Sequence, residues 1–176
     1  KYGVIAEPDL LDRMRTTLPA IFARHAEAVA PLVAASCRIK ARVVSADERE
    51  SGLRRILNFG HTIGHALESA TKYKRFRHGE AIGYGMLAAL SLGVARGVTP
   101  QSLHDEVLDL ITHLGPLPPV ADISAKDALA AIGRDKKVVA GTLHFVAATK
   151  RGATATLADV TAKELRASLK RLGLRA

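Results

Sequence analysis

The most informative stretch of the sequence is Glu50-Ser-Gly-Leu-Arg54-Arg-Ile-Leu-Asn58-Phe-Gly-His61-Thr-Ile-Gly-His65-Ala-Leu-Glu68. On one helix, steps of four, four, three and four residues would place five polar side chains on one face: Glu50, Arg54, Asn58, His61 and His65. Apolar residues flank that face and would bury the helix on most sides. The spacing predicts a helix over residues 50–71 whose polar stripe lines a cavity. A hydrogen-bonded seam between packed helices is the alternative.

Two glycines interrupt this predicted helix. Gly60 and Gly64 lie four residues apart, and each costs about 1 kcal/mol relative to alanine in a helix interior. Glycine at such positions often allows another backbone to come close. We therefore expect a second chain segment to pack directly against this one.

Three histidines could bind a metal ion together. His61 and His65 are four residues apart, and His78 begins the next predicted helix. Two helices that meet at their ends could bring His61 and His78 within the roughly 2.0–2.1 Å that a Zn–N bond requires. The spacing alone is a weak signal, and histidines that pack in a core or cap a helix remain the alternative.

The rest of the chain is predicted to be mainly α-helical. Pro31 suits the first turn of a helix that runs to Ser45, and Thr99 is predicted to cap the helix that follows it. Near the end, residues 142–149 and 153–157 alternate apolar and polar side chains and predict one small β-hairpin. Neither a Gly-x-Gly-x-x-Gly motif after a strand nor a phosphate-binding loop occurs, so the sequence shows no recognisable nucleotide-binding half.

The charge of the chain favours an anionic partner. Its 26 lysines and arginines exceed its 17 acidic residues, which gives a net charge of +9. Aromatic residues make up only 4% of the sequence, and the basic residues are spread along it, which argues against nucleic acid. The densest basic patch, Lys72, Lys74, Arg75 and Arg77, is interpreted as a solvated loop.

Other sequence features bear on the compartment. The longest uncharged apolar stretch, residues 81–95, is shorter than the roughly 20 residues that span a bilayer, so no membrane contact is predicted. No basic-then-apolar leader follows Lys1, so we expect no signal peptide. The single cysteine, Cys37, indicates a reducing compartment, and a cytoplasmic location is predicted.

Taken together, these motifs resemble the C-terminal domain of 3-dehydroquinate synthase. The resemblance lies in Leu57-Asn-Phe-Gly-His-Thr-Ile-Gly-His-Ala-Leu-Glu68 and in His78-Gly-Glu-Ala-Ile-Gly-Tyr-Gly-Met86. It continues in the segments 1–5, 37–44, 47–54 and 135–137 and covers nearly the whole chain.

The resemblance implies a carbon–oxygen lyase of aromatic amino-acid biosynthesis, the shikimate pathway. This family converts 3-deoxy-D-arabino-heptulosonate 7-phosphate into 3-dehydroquinate, with catalytic NAD and a divalent ion, zinc or cobalt. The resemblance implies that His61 and His78 are two of the metal ligands. The family's third ligand is a glutamate three residues before the lysine that Lys1 matches.

The resemblance also assigns the substrate contacts. Four positions match residues that hold the carboxylate and phosphate of the substrate or otherwise serve the active site: Lys1, Lys40, Arg54 and one of Lys136 or Lys137. Asn58 and His65 match polar groups that contact substrate and ordered water. Glu50 is a supporting residue, although it could simply pair with Arg54.

The 176 residues lack the family's NAD-binding N-terminal domain. We therefore expect residues 1–176 to form a single helical domain of a two-domain enzyme, with a weakly occupied metal site and without synthase activity on its own. Apolar faces that would meet the missing domain favour self-association, and a homodimer is expected.

Three alternatives remain open. The first is another sugar phosphate cyclase, one that makes an inosose or valiolone ring, although Asn58 and His65 are the synthase-like residues. The second is a non-catalytic helical module that binds an anionic metabolite or a partner chain. The third, a nucleic-acid binder, would show an affinity that falls steeply with salt.

Overall fold

The computed structural model of the chain describes residues 1–134, 138–139 and 142–176. The chain is mainly α-helical with a small β-hairpin near its C-terminus, as predicted. Its helices are α1 (Tyr2–Ile5), α2 (Asp9–Phe22), α3 (Ala26–Ala46), α4 (His61–Ala70), α5 (His78–Ala95), α6 (Gln101–His113), α7 (Ala125–Arg134) and α8 (Ala162–Arg171), and Leu53–Asn58 form a 3₁₀ helix. Its strands are β1 (Val138–Val139), β2 (Thr142–Leu143), β3 (Phe145–Lys150) and β4 (Ala153–Leu157).

Helix α5 is the centre of the core. Small and apolar residues occupy most of its length, and Ala81, Ala88 and Leu90 are completely buried. Helices α4, α6 and α8 and strand β3 pack around it, and α4 also packs against α7. Because α4 and α5 both begin at the same end of this core, their first residues lie close together.

The backbones of α4 and α5 approach closely through glycines. A Cβ atom on Gly85 would lie 1.8 Å from the carbonyl oxygen of Gly60, and one on Gly64 would lie 3.1 Å from the carbonyl oxygen of Ala81. Gly60 also has a φ of +80°, a conformation that glycine adopts without strain. The structure thus confirms that Gly60 and Gly64 allow a second segment, α5, to pack against their backbone.

The predicted continuous helix over residues 50–71 is wrong. The 3₁₀ helix ends at Asn58, Phe59 is not helical, and α4 begins only after the left-handed Gly60. The physical reason is burial: the break places the ring of Phe59 in the core with no exposed surface. The broken helix still brings polar side chains to one place, as described below.

Two helix starts also differ from the prediction. Helix α3 begins at Ala26 and contains Pro31 in its second turn. Proline has no backbone N–H, so the carbonyl of Glu27 loses its partner within the helix. This loss is tolerated because Glu27 and Pro31 are both exposed. Thr99 does not cap α6, which Pro100 precedes; its buried hydroxyl donates instead to the carbonyl oxygen of Ala148, at 2.6 Å.

The C-terminal hairpin is confirmed, but its first strand begins at Phe145, because Thr142–Leu143 pair instead with Val138–Val139 in a separate two-stranded sheet. Strand β3 pairs antiparallel with β4, and the turn between them contains Gly152 with a φ of +77°. Phe145, Val146, Ala147 and Ala148 are buried, so the hairpin closes one side of the core. Among the described residues, no helix combines the length and apolarity needed to cross a bilayer.

Candidate active site

A cavity of about 260 Å³ opens where α1, α3, the 3₁₀ helix, α4 and α5 meet. Each of these elements contributes side chains to its wall, and most of the side chains are polar or charged. The lining residues are Lys1, Tyr2, Lys40, Glu50, Arg54, Leu57, Asn58, His61 and His78.

The cavity gathers most of the residues that the sequence singled out. Glu50, Arg54, Asn58 and His61 line it even though they do not share one helix. His65 lies one turn further along α4, with its ring centroid 5.2 Å from that of His61. Lys136 and Lys137, the remaining predicted anion contacts, lie outside the described residues.

The rings of His61 and His78 converge from two helices. Their centroids are 5.5 Å apart, and each residue is the first of its helix, α4 or α5. The Nδ1 atom of His61 lies 3.2 Å from the carbonyl oxygen of Phe59. Because a carbonyl can only accept, Nδ1 carries the proton and Nε2 carries the lone pair that a metal ion or a substrate proton would use.

A buried carboxylate orients His78 in the same way. Glu68 Oε1 lies 3.1 Å from Nδ1 of His78 and is almost completely buried on α4. A carboxylate on Nδ1 fixes the ring and makes the other nitrogen a stronger ligand. Glu68 was not among the residues predicted for the site. The signal that could have indicated it is its spacing, since Glu68 lies three residues after His65 and seven after His61.

The donor atoms here suit a divalent transition metal. One ligand atom from each of His65, Glu68 and His78 lies within 4.8 Å of the other two. Imidazole and carboxylate groups are common ligands of zinc and cobalt. The residues present therefore fit the kind of ion that the sequence suggests. This cluster shares only His78 with the predicted ligand pair His61 and His78, and the ring centroid of His61 lies 5.2 Å from that of His65.

Cationic side chains also line the cavity. Lys1, Lys40 and Arg54 line the cavity, and Glu50 is the acidic residue among its lining. The ammonium of Lys1 donates to the carbonyl oxygen of Leu57 at 3.2 Å, and Asn58 donates to Glu50. This excess of positive charge suits an anionic ligand held by charge-assisted hydrogen bonds.

Tyr2 also lines the cavity and contributes a hydroxyl group. Burial raises the pKa of Tyr2, and the nearby Cys37 contributes to the increase. The phenol therefore stays protonated at neutral pH and can donate a hydrogen bond.

The fold of the chain matches part of two solved synthase structures. ValA (2-epi-5-epi-valiolone synthase) from Streptomyces hygroscopicus subsp. jinggangensis 5008, solved with NAD+ and Zn2+ bound, superposes with a TM-score of 0.84 at 22% identity, over 97% of this chain and 48% of that one. A 2-deoxy-scyllo-inosose synthase complexed with carbaglucose-6-phosphate, NAD+ and Co2+ gives 0.69 at 21% identity, over 80% and 40%.

The chain belongs to the 3-dehydroquinate synthase C-terminal family, whose model matches residues 1–138. It is 44% identical to the 3-dehydroquinate synthase of Solibacter usitatus over 160 residues, 91% of this chain and 45% of the relative. It is 39% identical to the 2-epi-valiolone synthase of Actinosynnema mirum over 176 residues, 98% and 46% respectively. The chain thus spans about half the length of the curated relatives it matches.

Proposed function

We propose that the chain is the metal- and substrate-binding half of a 3-dehydroquinate synthase. The reaction would convert 3-deoxy-D-arabino-heptulosonate 7-phosphate into 3-dehydroquinate with release of phosphate. One observation carries the proposal: the rings of His61 and His78 lie close together in a cavity that Lys1, Lys40 and Arg54 also line. A substrate with both a carboxylate and a phosphate needs such fixed cations.

The side chains of this chain would bind and orient the substrate. Lys1, Lys40 and Arg54 would hold its anionic groups, with Lys136 or Lys137 as a further contact. Asn58 and His65 would hydrogen-bond its hydroxyls and ordered water. Their charge-assisted bonds would keep the reacting carbon in one position.

His61 and His78 would hold a zinc or cobalt ion. Such an ion, when bound, supplies Lewis-acid stabilisation of the substrate oxygen at the carbon that loses hydride. Glu68 would keep the His78 ring turned so that Nε2 faces the ion. A glutamate three residues before Lys1 would complete the ligand set.

NAD and a second domain are part of the proposal. The curated relatives are about twice as long as this chain, and ValA was solved with NAD+ bound. A dinucleotide-binding half would therefore accept the hydride, and the chain alone would not turn over. A homodimer and a cytoplasmic location are also part of the proposal, and the free thiol of Cys37 suits a reducing compartment.

A chimera tests the proposal. The N-terminal half of the Solibacter usitatus synthase is joined before Lys1, and formation of 3-dehydroquinate and phosphate is measured with NAD+ and Zn2+. We expect turnover by the chimera, none by the 176-residue chain, and loss of turnover in His61→Ala and His78→Ala. The intact Solibacter enzyme is the positive control, and NAD+ binding reports folding. A chimera that binds NAD+ and Zn2+ but forms no 3-dehydroquinate would contradict the proposal.

A second candidate is another sugar phosphate cyclase. The 39% identity to a 2-epi-valiolone synthase, which extends over 176 residues, favours it. The same chimera, offered the sugar phosphates that valiolone and inosose synthases use, separates the two activities. A chain that binds phosphate esters and never supports turnover with any of them would instead be a non-catalytic binding module.

A further inference from the structure

Asp47 holds the loop that leads to Arg54. Its Oδ1 accepts hydrogen bonds from the backbone N–H and the hydroxyl of Ser51, at 2.9 and 3.0 Å. Its Oδ2 accepts from the backbone N–H groups of Gly52 and Arg54, at 2.8 and 3.0 Å. The residue is buried, although it lies just beyond the end of α3. One carboxylate therefore satisfies four donors of the following seven residues.

These bonds replace an ordinary helix cap. The 3₁₀ helix Leu53–Asn58 begins after Gly52, which has no side chain to accept from its first N–H groups. Asp47 accepts instead from the N–H of Gly52, the residue before the helix, and from the N–H of Arg54, the second residue of the helix. The start of the 3₁₀ helix is thus fixed by a residue outside it.

The loop is also held in an unfavourable backbone conformation. Glu50 has a φ of +56°, which residues other than glycine adopt uncommonly. Such a conformation persists only where the surrounding contacts determine it. Glu50 lies between Asp47 and Ser51, so the carboxylate of Asp47 closes the loop around it.

The loop that Asp47 holds carries two residues of the candidate site. Glu50 and Arg54 both line the cavity, and Arg54 donates through Nη1 to the carbonyl oxygen of Glu48 at 2.7 Å. We propose that Asp47 is a positioning residue that sets the loop so that Arg54 can bind an anionic group of the substrate. This inference rests on the proposed function, since it assumes that the cavity binds an anion.

Electrostatics alone predicts the opposite effect of removing Asp47. A carboxylate near a cationic cavity repels an anion, so its neutralisation by itself would tighten anion binding. Loss of positioning would weaken anion binding. The direction of the change therefore distinguishes a positioning residue from a residue that acts only through its charge.

The experiment uses the 176-residue chain, with inorganic phosphate as the probe and nuclear magnetic resonance as the readout. In Asp47→Asn, the amide NH₂ would face the N–H groups of Gly52 and Arg54, which need an acceptor. We expect hydrogen exchange of those two amides to accelerate at least tenfold and phosphate to bind about tenfold more weakly. The matched control is Glu48→Gln, which removes one charge nearby and keeps the backbone carbonyl that Arg54 contacts.

Two outcomes would overturn the positioning role of Asp47, and a third would overturn the anion site itself. Glu48→Gln is expected to bind phosphate as tightly as the unmodified chain or more tightly. The same result in Asp47→Asn would overturn the positioning role, even if the amides exchange faster. Unchanged amide exchange overturns it as well. If phosphate causes no shift at Arg54 in the unmodified chain, the anion site of the proposed function fails, and the inference falls with it.

Discussion

At the scale of single residues, Glu68 and His78 show how a buried carboxylate determines which nitrogen of a histidine is available. Glu68 lies on α4 and His78 begins α5, ten residues later. The hydrogen bond to Nδ1 leaves Nε2 as the atom that can face the cavity. The proposed role of Glu68 therefore depends on the role of His78, whose ring it orients.

Glu68 substitutions test this arrangement through metal affinity. We expect Glu68→Ala to weaken Zn2+ binding by about 10–100-fold, because His78 loses the partner that fixes its ring. Glu68→Gln keeps an acceptor oxygen and should lie between Glu68→Ala and the unmodified chain. Titration calorimetry of the 176-residue chain measures the affinity, and Ser69→Ala, the next residue on α4, is the control. Equal affinities in all the variants would contradict the role.

The sequence identified some of these residues and not others, for a physical reason. His61 and His78 belong to recognisable motifs, and the structure brings their rings together. Asp47 contacts four donors in an irregular loop, and Glu68 contacts a ring on another helix, so the spacing of residues within one helix does not identify their partners. Their roles depend on how elements meet, which sequence periodicity does not record.

At the scale of secondary-structure elements, the contact between α4 and α5 limits what glycine can be replaced by. In Gly85→Ala, the new Cβ would lie 1.8 Å from the carbonyl oxygen of Gly60, so the helices would have to move apart. We expect this substitution to lower the free energy of unfolding, measured with urea, by about 1–3 kcal/mol. The movement would also displace His61, which follows Gly60.

Gly79→Ala is the control for this substitution. Gly79 is also in α5, but its Cβ would meet nothing within 4 Å. Alanine should therefore stabilise the helix by up to about 1 kcal/mol. If both variants unfold at the same urea concentration, the close approach of the two backbones is not what fixes their packing.

The same elements show where helical periodicity fails. A regular stripe from Glu50 to His65 predicted four of the residues that line the cavity, Glu50, Arg54, Asn58 and His61, but assumed one continuous helix. The structure instead contains a 3₁₀ helix, the buried Phe59 and the left-handed Gly60. Glycine permits both a helix interior and a break, so the sequence alone could not separate them. Tertiary burial of Phe59 decides the outcome.

At the scale of the whole molecule, the positive charge is divided between structural ion pairs and the cavity. Arg75 pairs with Asp122, so the basic patch predicted as a solvated loop is partly neutralised. Arg96 and Arg151 each pair with two acidic residues far away in the sequence. Lys40 and Arg54 instead line the cavity. A net charge of +9 therefore supports an anionic ligand at one place better than a continuous nucleic-acid surface.

The ion pairs of Arg96 also make the stability of the molecule depend on pH. Arg96 follows α5 and donates to Glu164 of α8, which also accepts from the backbone and side chain of Thr161. These bonds, that from Arg96 foremost, lower the pKa of Glu164 from 4.5 to about 2. A carboxylate whose pKa is lower in the folded state stabilises that state above its unfolded pKa, and the stabilisation disappears as the pH falls through the folded pKa.

We therefore expect Glu164→Gln to be less stable than the unmodified chain above about pH 4.5, and the difference to shrink as the pH falls towards 2. Urea unfolding across this pH range measures it, with Glu27→Gln as the control because the side chain of Glu27 is 79% exposed. A difference that stays constant with pH would mean that Glu164 contributes through packing and shape. A difference that follows the titration would mean that the charge of Glu164 stabilises the contact between α8 and α5, the central helix that begins at His78.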